Sequence, residues 1–200
     1  MTEQNLILSL FEIGAVRFGT FKLKSGIESP VYLDLRRTVS FPKLLVAIAE
    51  ALHEPMRGLT FDLICGVPYT ALPFATAISI QHNLPMLLRR KERKEYGTGQ
   101  LLEGVFEKGQ RCLLIEDVIT SGSSLLETAA SIRQEGLVVE EAIVLVDRCQ
   151  GGIAALQKEG LRVHPILNLP QIADLLEKEK KIEPSRAAAV KAFLRENQVC

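Results

Sequence analysis

The run Cys112-Leu113-Leu114-Ile115 constrains the fold more than any other feature: four apolar residues without polar alternation, ending in the adjacent carboxylates Glu116 and Asp117. A strand wetted on one face alternates apolar and polar residues, whereas a strand covered on both faces does not. Similar runs recur, and strands are predicted at Phe61–Val67, Leu84–Leu88, Arg111–Asp117, Glu141–Asp147 and Leu161–Leu167. Helical stretches, Tyr69–His82 and Ser123–Glu135, separate the first two and follow the third. This order predicts an α/β fold, a central and mostly parallel sheet flanked by helices. Glu3–Ile13 and Pro42–Leu52 also read as helices, and Pro30–Leu35 as a short strand outside the alternating core. Pro184 opens a further helix with Ala187, Val190, Phe193 and Leu194 on one face. These terminal segments are expected to form a small hood over one end of the sheet.

The 200 residues are expected to form a single domain, 1–200, since there are no repeats and no low-complexity linker. The 24 Lys and Arg residues balance 24 Asp and Glu, which argues against a nucleic-acid partner held by bulk positive charge. No apolar run approaches the roughly 20 residues needed to cross a bilayer, so no membrane partner is expected. Cys65, Cys112, Cys149 and Cys200 form no CxxC pair, and no secretory signal precedes them. Free thiols in a reducing cytoplasm are therefore expected. His53, His82 and His164 are not at metal-motif spacing, so no direct protein-built metal site is expected.

The chemistry concentrates in Arg111–Glu127, RCLLIEDVITSGSSLLE. An apolar strand runs into Glu116 and Asp117, then into Thr120-Ser121-Gly122-Ser123-Ser124, and a helix follows. Ser124 and Glu127 have the spacing of a capping box. Backbone N–H groups at such a helix start, aided by its dipole, favour a phosphate. Gly122 would let the backbone approach the anion. A phosphate cradle gains nothing from adjacent carboxylates, so these need another partner. Vicinal ribose hydroxyls would donate to them, and a hydrated magnesium ion bridging pyrophosphate and sugar would also suit them. The combination points to a ribose 5-phosphate site. The plainer alternative is a strand that ends at the surface in ordinary turn residues. Neither GxxxxGK[ST] nor GxGxxG is present, which disfavours the common nucleotide folds.

Leu113–Ser124 resembles the phosphoribosyl pyrophosphate motif of the type I phosphoribosyltransferases. Further segments resemble the orotate branch of that family. These are Phe21-Lys22-Leu23-Lys24-Ser25-Gly26 with Ser29-Pro30, Val67-Pro68-Tyr69-Thr70-Ala71-Leu72-Pro73, Arg89–Gly97, and Val146-Asp147-Arg148. The likeness covers nearly the whole chain and is greatest to the orotate phosphoribosyltransferase domain of animal UMP synthase. It implies transfer of the phosphoribosyl group of phosphoribosyl pyrophosphate to orotate, giving orotidine 5'-phosphate and pyrophosphate for pyrimidine nucleotide synthesis. It also implies magnesium as cofactor and a homodimer in which the Arg90–Gly104 loop of one subunit serves the other's site.

Residue by residue, the resemblance assigns Lys24, Tyr69, Thr70, Arg90, Lys91, Lys94 and Tyr96 to phosphoribosyl pyrophosphate, with Glu116, Asp117, Val118, Ile119, Thr120, Ser121, Gly122, Ser123 and Ser124. Lys94 and Asp117 are the catalytic candidates. Tyr32, Leu33, Thr120 and Arg148 are assigned to orotate, Arg148 by bidentate recognition of its carboxylate. Taken alone, Arg89–Tyr96 would be a solvated charged loop, and Arg148 could simply neutralise Asp147. Tyr96 stands where many bacterial relatives have histidine, Thr70 where many have lysine, and Leu33 where an aromatic is frequent. The rival readings are a transferase for another base, such as a purine, and a regulatory protein that retains the sugar site.

Overall fold

A computed structural model describes residues 1–22, 26–91 and 101–198. Helix α1 (Glu3–Glu12) leads into an antiparallel pair, β1 (Val16–Lys22) and β2 (Glu28–Leu33), and then α2 (Pro42–His53). The alternating part follows: β3 (Leu63–Gly66), α3 (Ala71–His82), β4 (Met86–Arg89), β5 (Leu102–Glu103), β6 (Cys112–Ile119), α4 (Ser123–Gln134), β7 (Glu141–Asp147), α5 (Gly152–Lys158) and β8 (Arg162–Asn168). Helices α6 (Leu169–Lys178) and α7 (Pro184–Glu196) come last.

The main sheet has the order β5-β4-β3-β6-β7-β8. All its pairings are parallel except β4 with β5. The unalternating runs are explained by two cores. Ile64, Leu113, Ile115, Ile143 and Leu145 face α1, α2, α3, α6 and α7. Leu63, Cys65, Cys112, Leu114, Ala142 and Val144 face α4 and α5, meeting Leu125, Ala129, Ile132 and Leu156. Each such side chain removed from water contributes on the order of 1.5–3 kcal/mol, and β6 supplies both faces.

The terminal segments pack as a hood on the first of these cores. Helix α7 lies against β2, and α1 packs on α6. Arg186 donates to the Phe18 carbonyl at 3.3 Å, and Arg37 to that of Ile13 at 2.6 Å. The fold corrects the sequence expectations in detail. The expected strand Pro30–Leu35 is Glu28–Leu33, drawn towards the chain start by its pairing with β1. The expected Arg111–Asp117 strand continues to Ile119, because Val118 and Ile119 still pair with Val146 and Asp147. Helix α6 was not anticipated. Asn168 accepts from the Gln171 N–H at 2.9 Å while the Gln171 side chain accepts from the Asn168 N–H at 3.3 Å, a reciprocal cap.

Candidate active site

The loop that follows β6 lies at the carboxyl edge of the sheet, where α/β folds place ligands. Glu116 is buried, 5% exposed, and its carboxylate accepts the Asp117 N–H at 3.0 Å. Burial pushes the Glu116 carboxyl well above the usual carboxylate range, and the half-buried Asp117 reinforces this through a side-chain hydrogen bond and its charge. Two like charges in so small a volume, one of them desolvated, are unfavourable, which is why the proton is held more tightly on Glu116.

The loop continues through Thr120 and Ser121 to Gly122, which precedes α4 with φ of 82°. One expectation fails here. Ser124 does not cap the helix; Gly122 holds the cap position, and no side chain bonds there. Glu127 does not reach back to the helix start either. Its carboxylate accepts from Arg89 at the end of β4, at 2.9 Å. An uncapped helix start leaves first-turn N–H groups available to an anion. Ser121 Oγ lies 3.3 Å from Ser123 Oγ, and the exposed Ser123 and Ser124 complete the rim. Residues 116 and 118–125 line a cavity of about 160 Å³. Glycine at 122 also has a packing reason: a Cβ there would lie 2.7 Å from Leu156 of α5. Ile119 is 1% exposed, and Val118 packs against the hood-side core.

Two flanking segments share this edge. Tyr69 is 63% exposed between β3 and α3, with the Lys91 ammonium 5.5 Å from its ring centre. Thr70 precedes α3 without a capping bond. Arg90 is paired with Glu103 of β5, at 2.6 Å, and its N–H donates to the Leu101 carbonyl at 2.8 Å. Gly104 has φ of 124°, and a Cβ there would come within 2.8 Å of Leu87. Lys24, Lys94 and Tyr96 lie outside the described residues.

Arg148 follows β7 and is tied to the loop strand, its N–H donating to the Ile119 carbonyl at 3.0 Å. Its side chain is buried, and burial pushes the guanidinium pKa down. It does not neutralise Asp147, whose carboxylate accepts the Cys149 N–H at 2.8 Å. Nε of Arg148 donates instead to Gln150 at 2.9 Å, and one terminal nitrogen is buried without a partner among the described residues. A guanidinium held this way is short of an anionic acceptor. Gln150 in turn donates to the Asn197 carbonyl at 2.8 Å, so the end of α7 steadies Arg148. Sequence reasoning missed Gln150 and Asn197, and no local pattern joins them.

Tyr32 sits in a different cluster. Its ring lies 5.5 Å from that of Phe21, with the Arg17 guanidinium 5.0 Å from its centre and Arg36 donating to its hydroxyl at 3.3 Å. Leu33 packs against the core, where an aliphatic side chain serves. Among the described residues, the polar and aromatic contacts of Tyr32 stay within the hood, not with the phosphate loop.

The phosphoribosyl transferase domain family matches residues 40–159. Orotate phosphoribosyltransferase of Caenorhabditis elegans is 43% identical over 96% of this chain and 86% of its own length. The chain belongs to the orotate phosphoribosyltransferase family. Uridine 5'-monophosphate synthase of Bos taurus is 48% identical over 96% of this chain, and the chain spans 41% of that protein. The UMP synthase structure of Leishmania donovani superposes with a TM-score of 0.90 at 37% identity, covering 98% of this chain and 43% of that one. The likeness thus extends over the hood, which lies partly outside the matched 40–159 segment.

Proposed function

We propose that this site transfers the phosphoribosyl group of phosphoribosyl pyrophosphate to orotate, releasing pyrophosphate and forming orotidine 5'-phosphate for pyrimidine nucleotide synthesis. The observation that carries the reading is the Glu116–Asp117 pair leading, within one strand end, into the uncapped start of α4. The loop 120–124 binds the 5-phosphate through backbone N–H groups and serine hydroxyls. Asp117 and Glu116 accept from the ribose hydroxyls. Arg148 places its unpartnered nitrogen on the orotate carboxylate, and Tyr32, Leu33 and Thr120 border the base.

During transfer the bond from the anomeric carbon to pyrophosphate breaks, the bond to an orotate ring nitrogen forms, and positive charge develops on the sugar. Positioning of the two substrates and stabilisation of the departing anion carry the rate, with no covalent intermediate on the protein. Lys94 stabilises the leaving group, with Lys24, Tyr69, Thr70, Arg90, Lys91 and Tyr96 around the pyrophosphate. For Arg90 this requires exchange of Glu103 for the anion. Glu116 and Asp117 offer the oxygen donors that magnesium favours and would help to hold it beside the pyrophosphate. When bound, magnesium neutralises charge on the pyrophosphate.

The enzyme is proposed to act as a cytoplasmic homodimer with shared sites. Among the described residues no helix is long and apolar enough to cross a membrane. The deciding experiment is a turnover assay with orotate, phosphoribosyl pyrophosphate and magnesium, following orotidine 5'-phosphate directly. Faster consumption of a purine base than of orotate would reject the assignment of the base, and no turnover with any base would leave a sugar-binding protein.

A further inference from the structure

At the opposite edge of the sheet from the phosphate loop, the last turns of α2 and α3 bring Glu50, His53 and His82 together. Glu50 and His53 are three residues apart on α2, which puts them on one helix face. His82 is the last residue of α3, fixed by the left-handed Asn83 that ends the helix. We propose that these three side chains form a binding site for a divalent transition-metal ion of the zinc class, clamping α2 to α3.

The two imidazoles are stacked, with centroids 3.5 Å apart and planes 10° from parallel. Nδ1 of His53 and Nε2 of His82 are both buried without a hydrogen-bond partner among the described residues. Oε1 of Glu50 comes within 3.1 Å of that Nε2, yet the contact lacks the alignment of a hydrogen bond. Buried polar atoms are nearly always satisfied, and two unsatisfied ring nitrogens beside a carboxylate need an explanation. In the stack the two ring lone pairs run nearly parallel, so one ring turns out of it for a single ion to gather both nitrogens and the carboxylate.

The donor atoms lie within 4.8 Å of one another. A tetrahedral ion with ligands at about 2.0 Å sets them roughly 3.3 Å apart. Side-chain rotation covers that difference, since the Glu50 side chain is 47% exposed and His82 is 20% exposed. Solvent exposure also gives the ion a way in. Two imidazoles and one carboxylate are a zinc-type set that leaves a fourth position for water, whereas magnesium prefers oxygen alone. The site is therefore chemically separate from the one that serves the substrate. The three residues meet only through the packing of α2 on α3, so their spacing in sequence does not reveal the cluster.

The test uses the whole chain, stripped with chelator and titrated with zinc by calorimetry in excess magnesium and without substrates. One equivalent per chain and a raised Tm are expected. Cobalt replaces zinc in a parallel titration, where visible absorption reports four-coordinate nitrogen and oxygen ligation. His53→Gln and His82→Gln should each weaken zinc at least tenfold. Glu50→Gln should do the same, and its exposed side chain keeps the fold intact if the histidine variants prove unstable. Asp117→Asn should bind zinc as the parent does. Absence of saturable zinc binding, or unchanged affinity in Glu50→Gln, overturns the site. Loss of zinc binding in Asp117→Asn would move the ion to the ribose end and overturn it equally.

Discussion

Arg89, at the end of β4, donates to the carboxylate of Glu127, on α4, at 2.9 Å. Arg89 is 5% exposed and Glu127 lies at the surface. The pair fastens α4, into which the loop 120–124 leads, to the end of β4. It also removes Glu127 from the cap for which its spacing from Ser124 seemed suited. The helix start is thereby left without the Glu127 contact, and α4 is held by a pair outside the loop.

Ser124→Ala should therefore change stability by no more than about 0.5 kcal/mol, less than the roughly 1 kcal/mol a true cap would cost. Glu127→Ala should cost about 1–2 kcal/mol, because a buried guanidinium loses its acceptor and its Nε already has none. The exposed side of the pair keeps this value modest. Urea midpoints of the two variants at unchanged slope would check it; a larger loss for Ser124→Ala would restore the capping box.

Glu116 sets a pH dependence. Its carboxyl titrates well above the usual range in the fold, because burial and the neighbouring Asp117 disfavour its charge. The folded state thus holds the proton more tightly than the unfolded chain does. That contribution is complete below the ordinary carboxylate pKa and is lost as pH rises through the raised folded value. Ligand-free protein should lose stability across this window, whereas Glu116→Gln should not. Denaturation midpoints at about pH 5 and about pH 8 would decide; parallel losses in both proteins would place the titrating group elsewhere.

Arg148→Ala should raise the KM for orotate by tenfold or more, leaving that for phosphoribosyl pyrophosphate within about threefold. Gln150→Ala should move the same constant less, since Gln150 only steadies the guanidinium. Equal changes for both substrates in Arg148→Ala would make the arginine a structural element of the β7 end.

The parts legible in the sequence were those written locally. Cys112–Ile115 reads as a doubly covered strand and is one, and its continuation into carboxylates, small residues and a helix marked the proposed sugar phosphate site. Some local signals still went unread. Asn168 and Gln171 carry a reciprocal cap, and Leu169, Ile172, Ala173 and Leu176 form the buried face of α6. Other features have no local signature. Arg89 finds Glu127, and Gln150 finds Asn197, only because the sheet order and α7 bring them together. The same holds for His53 and His82, whose meeting depends on α2 packing against α3.

Chelation should remove nearly all turnover, and added magnesium should restore it, if pyrophosphate leaves as a magnesium complex. Asp117→Asn should lower kcat at least tenfold, about 1.4 kcal/mol of barrier, while circular dichroism stays that of the parent. Full activity in excess chelator would sink the metal assignment. Wild-type rates in the folded variant would do so for the ribose contact.

The shared site has a quantitative consequence. Lys94 lies outside the described residues, and the family resemblance has it serve the partner's phosphate loop. If so, Lys94→Ala and Asp117→Asn damage different chains of the same site. Each variant alone should be nearly inactive. In a mixed two-fold dimer one site receives both damaged parts and the other receives neither. With random exchange about half the dimers are mixed, so about a quarter of all sites should be intact. Mixing the two proteins under conditions that exchange subunits, with exchange followed by a tag on one variant, should restore activity towards that fraction. Proven exchange without recovery would mean that Lys94 acts within its own chain.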